Sequence, residues 1–518
     1  MERQRYPIGQ QNFENIRKEK KVYVDKTGLV FDLVREYNYV FLSRPRRFGK
    51  SLLLSTIQSY FEGREDLFRG LAIHDMEREW KRHPVFMLSL SRIDANDEKS
   101  LASTLSMQFG RWEEEYGITT KEDSLASRFS VIIETASRKT GERVVVLVDE
   151  YDNPLINTLH KGALHESYRT LLKSIYSTLK DMDAYIRFGM LTGVSRFSRT
   201  TIFSGLNNLS DITFSDRYAT ICGFTEEEIR RDLWQGVDNL AQKRKITAEA
   251  ALEELKTAYD GYHFSEECPD MYNPFSLLLA LDKSKIAPYW IDTATPQFLS
   301  EKLSVSTQSF AKIFSSNASE SFLSETDTVF KSPVSLLYQT GYLTIKGYNA
   351  ESMHYTLGVP NKEVEDGLFN YLLRYFIGSD ASGEPELSMD MKQALREGNA
   401  NGFLELLKIF LIDTNYETIP KMTEKYFENT LYLIFRTLGL FVEAEKRTSY
   451  SRSDIVVKTE KYIYIFELKL DGDAGAALRQ IEEKGYALPY AHDGRHIIKI
   501  GVNFSSHTRN ILDWQIQS

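Results

Sequence analysis

The sequence predicts an α/β protein with two chemically distinct ends: a parallel sheet carrying a phosphate-binding loop near the N-terminus, and a smaller α/β domain at the C-terminus. Three observations predict it. A short apolar strand, Tyr39–Ser43, runs into a loop ending Gly49-Lys50-Ser51 and then into an amphipathic helix over 52–61. A continuous apolar run from Val144 to Val148 breaks into the carboxylates Asp149, Glu150 and Asp152. Near the other end, a helix pattern is followed by strand patterns bearing Asp454 and Glu467-Leu468-Lys469.

Strand, loop and helix in that order are the context a phosphate-binding loop needs. Free N–H groups at the start of the helix, with the positive end of its dipole, make an anion site. Lys50 is placed to neutralise the β- and γ-phosphates of ATP, and the Ser51 hydroxyl to ligate Mg²⁺. Arg46, Arg47, Phe48 and Gly49 are the other expected nucleotide contacts. One residue departs from G-x-x-x-x-G-K-[ST]: Arg44 stands where the first glycine belongs, and a side chain reaches positive φ less cheaply than glycine does. The plain alternative is a basic turn capping an ordinary helix.

The run ending at Asp149 makes that alternative the poorer explanation. Continuous β-branched runs suit a strand covered on both faces of a parallel sheet, and ligands collect at the carboxyl ends of such strands. Asp149 is expected to hold Mg²⁺, and Glu150 to orient or deprotonate the attacking water.

The rest of the N-terminal half follows the same alternation. A charged arm over 1–30, with Tyr23-Val-Asp25-Lys26-Thr27, leads into it. Strands are expected over 85–90, 186–193 and 218–224, with helices over 98–116, 123–139 and 166–182. Such alternation implies a parallel α/β sheet. Thr192, Ser195, Arg196 and Arg199 follow at the end of the 186–193 strand; Thr192 or Ser195 is a candidate γ-phosphate sensor, and Arg196 a candidate arginine finger. These residues serve equally well as solvated loop polar groups. An arginine finger can also come from a second subunit, so a homo-oligomer belongs to this reading. From 225 to 281 the pattern turns helical, as a lid, and the block Tyr259-Asp-Gly-Tyr-His-Phe264 with Tyr272-Asn-Pro274 is expected to pack it. Residues 298–348 suit a small winged-helix-like module, and 378–385 a hinge.

The C-terminal chemistry rests on a hairpin. With its turn centred between Glu460 and Lys461, Asp454 and Glu467 become cross-strand partners with Cβ atoms ~5 Å apart, close enough to share a divalent ion. Period-two alternation sets Lys469 beside Glu467 and puts Tyr462, Tyr464 and Phe466 on the opposite, inward face. Glu428 on the preceding helix is a further candidate ligand, and Gln480 and Lys484 on the following helix could face the site. Two carboxylates on Mg²⁺ can polarise a phosphodiester while the lysine stabilises the transition-state charge. The plain alternative is a half-buried hairpin with a solvated charged face.

Bulk properties fit a large intracellular enzyme. At 518 residues and 42% hydrophobic composition, roughly three or four domains are expected. Cys222 and Cys268 are the only cysteines, too few for a disulfide framework and without metal-ligand spacing. The N-terminus lacks the apolar core of a signal peptide, and no stretch approaches the ~20 apolar residues of a membrane helix. A cytoplasmic location without a membrane partner is expected. A net charge of −9 argues against a surface that coats nucleic acid indiscriminately, while leaving room for a local basic groove.

On Arg44-Pro-Arg-Arg-Phe-Gly-Lys-Ser51, Asp149-Glu-Tyr-Asp152 and the Tyr259-Asp-Gly-Tyr262 block, the chain resembles the bacterial AAA-ATPase-like family, often fused to a C-terminal PD-(D/E)XK nuclease-like domain. In that family the Arg-Pro-Arg-Arg loop is usual. The nuclease signature falls on Asp454, Glu467 and Lys469, with Glu428 as the helix carboxylate. Ser451 stands where similar domains often have glycine. The resemblance implies a P-loop NTPase parallel sheet with a helical lid and a winged-helix-like module, plus a restriction-endonuclease-like α/β domain. The expected divisions are 1–224 for the arm and ATPase core, 225–297 for the lid, 298–365 for the winged-helix-like module, 366–415 for a helical connector and 416–518 for the nuclease-like domain. The function implied is an ATP-driven, Mg²⁺-dependent nuclease with DNA as the expected substrate. Its rivals are a regulatory ATPase switch whose terminal domain binds nucleic acid without cutting, and a scaffold that holds ATP structurally.

Overall fold

In the computed structural model, residues 4–91, 93–94, 96–119, 124–159, 161–196, 208–291, 303, 308–324, 332–377, 385–412, 423–447 and 452–518 are described. Arg199, Ser451 and the 378–384 part of the expected hinge lie outside them. The chain forms two compact units that interleave in sequence: Met1–Trp290 with Asn317–Lys362, and Ile291–Ser316 with Glu363–Ser518. The expected 298–365 module is therefore shared between units. The reason is visible in the packing of 308–316. Phe310 meets Phe376 edge-on, Phe314 meets Phe369 edge-on and stacks on Tyr432, all in the second unit, and the Phe310 amide donates to Asn429 Oδ1.

The first unit is built on five parallel strands, β1 (Tyr39–Ser43), β2 (Val85–Ser89), β3 (Val144–Asp149), β4 (Ile186–Gly193) and β5 (Ser210–Asp211), in the order β2-β3-β4-β1-β5. Every residue of β3 is buried until Asp149, because helices Ser100–Glu115, Leu125–Thr140 and Gly162–Asp181 press Leu105, Phe129, Ile133 and Leu172 against Val144, Val146 and Val148. Each such side chain contributes about 2 kcal/mol when buried. The fifth strand differs from expectation. Residues 216–221 wind into a 3₁₀ turn, and a two-residue strand at 210–211 pairs with β1 instead.

The lid segment is helical as expected, with Trp234–Arg244, Ala248–Tyr259 and Pro274–Lys283 gathered around Leu240, Leu252, Leu255 and Leu277. Residues 317–358 add a small antiparallel sheet, β6 (Asn317–Ser319), β7 (Thr344–Asn349) and β8 (His354–Gly358), in the order β6-β8-β7.

The second unit carries a mixed sheet of β9 (Phe441–Arg447), β10 (Arg452–Lys458), β11 (Tyr462–Leu470), β12 (His496–Phe504) and β13 (Ile511–Gln517), in chain order across the sheet. All pairs are antiparallel except β11 with β12, where the crossover helix Ala474–Glu483 intervenes. That helix lies close on β12 because Gly501 has no side chain: a Cβ there would sit 2.2 Å from the Ala474 carbonyl. The strand β13 has no counterpart in the sequence reading. Its alternation of Trp514 and Ile516 with Asp513, Gln515 and Gln517 was the available signal.

Candidate functional sites

At the N-terminal site, three strand ends line up at the carboxyl edge of the sheet. Register places Ser43 beside Gly193 and Leu42 beside Thr192, while Val148 faces Leu191. The loop that follows β1 takes left-handed backbone at Arg47 (φ 69°) and Gly49 (φ 96°), so Arg44 needs no such conformation. The sequence-level objection to Arg44 thereby falls away, and the strain moves to Arg47, where it amounts to about 1–2 kcal/mol. Helix Lys50–Phe61 starts directly from Gly49, with the half-buried Ser51 in its first turn.

Lys50 is buried, and its ammonium donates to the carbonyls of Arg44 at 2.8 Å and Pro45 at 3.0 Å. Burial lowers its pKa, and Asp149, Asp152 and Glu150 oppose that shift through their charge. The Arg46 carbonyl accepts from the buried Trp290 indole at 3.1 Å. Arg47 is exposed and lies over the Phe275 ring at 4.7 Å. Phe48 is 1% exposed and packs edge-on against Tyr262 and Phe264. Its ring is thus committed to anchoring the loop, and any nucleotide contact falls to its main chain.

Across from the loop, Asp149 Oδ1 accepts from Thr192 Oγ1 at 2.9 Å. Glu150 adopts φ 54°, a strained conformation for a side-chain-bearing residue. Burial raises its pKa, Asp149 adds to the rise, and Lys50 opposes it. Asp152 is fully buried and accepts from the amides of Val194 (2.9 Å) and Ser195 (2.5 Å) and from Ser195 Oγ (2.6 Å). Gly193 permits this close approach, since a Cβ would lie 2.6 Å from Asp152 Oδ1. Asp152 was the residue whose role the sequence left unstated, and its position three beyond Asp149 was the available signal. Arg196 forms an ion pair with Asp211 at 2.5 Å and lies over Phe214 at 4.8 Å, so its guanidinium is engaged on β5.

At the C-terminal site, Ile455 faces Phe466 and Val456 faces Ile465. Continuing that register by one residue sets Asp454 opposite Glu467, as a turn centred between Glu460 and Lys461 requires. The expected polar face is not solvated, however. Strand β11 is covered on both sides: Phe466 packs against Phe403 and Phe435 and the buried Tyr464 donates to the Leu395 carbonyl, while Ile463 and Ile465 pack with Ile481. Glu467 is 2% exposed as a result.

Asp454 Oδ2 accepts from the Leu468 amide at 2.9 Å. Lys469 donates to Gln480 Oε1 at 2.9 Å and approaches Glu467 Oε1 at 3.4 Å, and the Gln480 amide donates to the same Glu467 oxygen and to the Tyr486 hydroxyl. Gln480 therefore faces the site, while Lys484 is exposed. Burial raises the pKa of Glu467, with Asp454 adding to the rise, to about 8, and burial also raises Asp454. Two facing carboxylates share their ionisation as a pair.

Glu428, on helix Glu424–Thr437, is 5% exposed; burial raises its pKa despite an ion pair with Lys425. Among the described residues no three His, Cys, Asp or Glu side chains converge as a ligand set, so Glu428 does not join Asp454 and Glu467 in one. Two buried oxygens nevertheless have no hydrogen-bond partner, Glu467 Oε2 and Glu428 Oε1. Asp454 and Glu467, with the unpaired Glu467 Oε2, offer hard oxygen donors of the kind a Mg²⁺-type ion takes. Sequence reasoning missed Tyr486, and also Glu424, which accepts from the Leu470 amide at 3.3 Å one helical turn before Glu428.

A family model described as predicted AAA-ATPase matches residues 7–203, and one described as PD-(D/E)XK nuclease superfamily matches 422–514. A protein of Azotobacter chroococcum mcd 1, described as an uncharacterized protein in the vnfD 5′ region, is 35% identical over 527 residues, which span all of both chains. No helix among the described residues is long and apolar enough to cross a membrane. With β4 seated between the phosphate-loop strand and the Asp149 strand, and the paired carboxylates on β10 and β11, the chain belongs to the AAA-ATPase-like family and carries a C-terminal domain of the PD-(D/E)XK nuclease superfamily.

Proposed function

We propose that this protein binds and hydrolyses ATP at Lys50, Ser51, Asp149 and Glu150, and cleaves DNA phosphodiesters at Asp454, Glu467 and Lys469 under control of that nucleotide. The observation that carries the nuclease half is the buried Asp454–Glu467 pair with an unpaired carboxylate oxygen and Lys469 fixed beside it by Gln480. A divalent ion bound there supplies Lewis acidity toward the phosphodiester and a water of lowered pKa. Asp454 and Glu467 would hold it, the Leu468 amide fixes Asp454, and Gln480 fixes Glu467. Lys469, held beside the pair by Gln480, would meet charge developing on the phosphate.

At the other site, the phosphates of a nucleotide would take the place of the Arg44 and Pro45 carbonyls as the partners of Lys50. The strained Glu150, its pKa raised, is suited to accept a proton from water. Thr192 tethers Asp149 and so keeps that carboxylate directed.

The test is incubation of the full chain with linear, circular and single-stranded DNA, with Mg²⁺ or Mn²⁺, with and without ATP. Cleavage that needs the metal and responds to ATP is expected. Absence of cleavage under every condition overturns the nuclease half. A second reading, a nuclease-like domain that binds nucleic acid without cutting, is favoured by the lack of a third converging carboxylate among the described residues. Binding without cleavage in the same assay would select it.

A further inference from the structure

Arg44 is where this chain leaves the glycine-rich loop pattern, and its surroundings give that departure a function. It is 1% exposed, and its guanidinium meets main-chain carbonyls. Nη1 donates to the Ser43 and Thr213 carbonyls, both at 2.9 Å, and Nη2 reaches the Ala219 carbonyl at 3.5 Å. The planar face lies 4.2 Å from the centre of the Phe264 ring. Nε has no acceptor at all. Burial pushes the guanidinium pKa down, while the carbonyl acceptors and the ring face favour its charge. Burying a guanidinium on carbonyls and a ring is costly, and glycine would avoid that cost.

The main chain of the same residue serves the nucleotide site. Its carbonyl seats Lys50 Nζ at 2.8 Å, and its amide donates to the Gly193 carbonyl at 3.2 Å, at the end of β4. One residue thus ties the first peptide of the loop to the 213–219 segment, to the central strand and to the lid-side turn at Phe264. The fork of Arg suits this: three carbonyl contacts and one stacked face cannot be made by a point charge.

We propose that Arg44 is a positioning residue for the nucleotide site, one that sets the phosphate loop and Lys50 through its side-chain clamp and makes that setting depend on Phe264. The inference rests on the reading of the loop as an ATP site. It gives Phe264, in a block that the sequence marks only as lid packing, a contact with the first residue of the loop.

The experiment measures binding of a nonhydrolysable ATP analogue to the full chain by calorimetry, with far-UV circular dichroism as the check on folding. Arg44→Gly restores the glycine of the general motif, yet is expected to weaken binding at least about tenfold, because the loop loses its clamp. Arg44→Lys keeps the charge and is expected to recover only part of the affinity. Phe264→Leu keeps apolar bulk without the ring face and is expected to weaken binding by a smaller factor. Because Phe264 also packs on Phe48, the double variant Arg44→Gly/Phe264→Leu is expected to lose less than the sum of the two single losses, a coupling that general destabilisation would not produce. If Arg44→Gly does not fold, Arg44→Lys and Phe264→Leu decide. Wild-type affinity in Arg44→Gly, or in both of the other two, overturns the proposal. Should the wild-type chain itself bind no nucleotide, the ATP-site reading fails instead.

Discussion

The two candidate sites handle buried charge in opposite ways. In the N-terminal unit, Lys50 is seated on two carbonyls, Asp149 is tethered by Thr192, and Asp152 takes three hydrogen bonds from 194–195. In the C-terminal unit, Asp454 and Glu467 face each other with raised pKa values, and an oxygen of Glu467 has no partner. The first site is balanced internally, so a nucleotide must exchange contacts with it. The second carries a charge deficit that a cation would complete. Substitutions should therefore separate the sites by their effects on stability as well as on function.

The largest effects are expected at the C-terminal pair. Asp454→Ala and Glu467→Ala should each lower cleavage at least about a hundredfold, since each removes an anionic ligand. Glu467→Gln should be as inactive yet more heat-stable than wild type in the absence of metal, because it removes a buried carboxylate and keeps the amide-sized shape. A metal-free melting temperature below wild type for Glu467→Gln would break the contrast between the sites. If Glu467→Ala cuts at the wild-type rate, the activity lies elsewhere.

Lys50→Ala should do the reverse at the balanced site. It should abolish ATP binding and also destabilise the folded chain by about 2 kcal/mol, because the Arg44 and Pro45 carbonyls lose their donor. Glu150→Gln should retain binding and lose turnover. Tight ATP binding by Lys50→Ala in calorimetry would remove the phosphate-loop assignment.

The metal response should depend on pH in one direction. Glu467 has its pKa raised to about 8 in the folded chain, above its unfolded value. Its contribution to stability is therefore present below the unfolded pKa and is lost as pH rises through the folded one. A divalent ion binds the ionised pair and offsets that loss. The rise in melting temperature on adding Mn²⁺ should be small at about pH 6 and larger at about pH 8.5. A metal shift independent of pH, or one that survives unchanged in Glu467→Gln, would contradict the charge-deficit account.

Lys469→Ala should have a milder consequence, about tenfold slower cleavage with metal affinity nearly kept, since the lysine acts on the substrate's charge. Gln480 holds it at 2.9 Å, so Gln480→Ala should resemble it in cleavage. A loss of metal affinity equal to that of Glu467→Ala would reassign Lys469 to organising the carboxylates.

Much of this arrangement was legible in the sequence where it depends on local periodicity. The pairing of Asp454 with Glu467 followed from a short turn and a period of two. The order of strand, loop and helix located Lys50, and the break in the Val144–Val148 run located Asp149. What was not legible depends on distant packing. The burial of Glu467 arises from helices Ala400–Ile412 and Ala474–Glu483 closing both faces of β11. The folding of 308–316 with the second unit depends on Phe310 and Phe314 meeting rings far along the chain. The fifth strand was misplaced because Tyr218–Phe224 is apolar enough for a strand, yet 216–221 winds into a 3₁₀ turn whose Ala219 carbonyl meets Arg44. No local pattern encodes that contact.

The smallest expected effect tests whether the balanced site communicates with the lid. Phe48 packs on Tyr262 and Phe264, and Arg47 lies over Phe275, so the loop and the 259–275 block share aromatic contacts. A nucleotide that draws Lys50 away from the Arg44 and Pro45 carbonyls must shift the loop peptides that carry those rings. Amides of helices Ala248–Tyr259 and Pro274–Lys283 should then change their hydrogen-exchange protection by a few-fold when a nonhydrolysable ATP analogue binds. Helix Leu125–Thr140, on the far side of β3 in the sheet core, should not change. Equal exchange with and without nucleotide throughout 225–281, in protein shown to bind the analogue, would make the site a structural ATP store and remove nucleotide control from the proposed function.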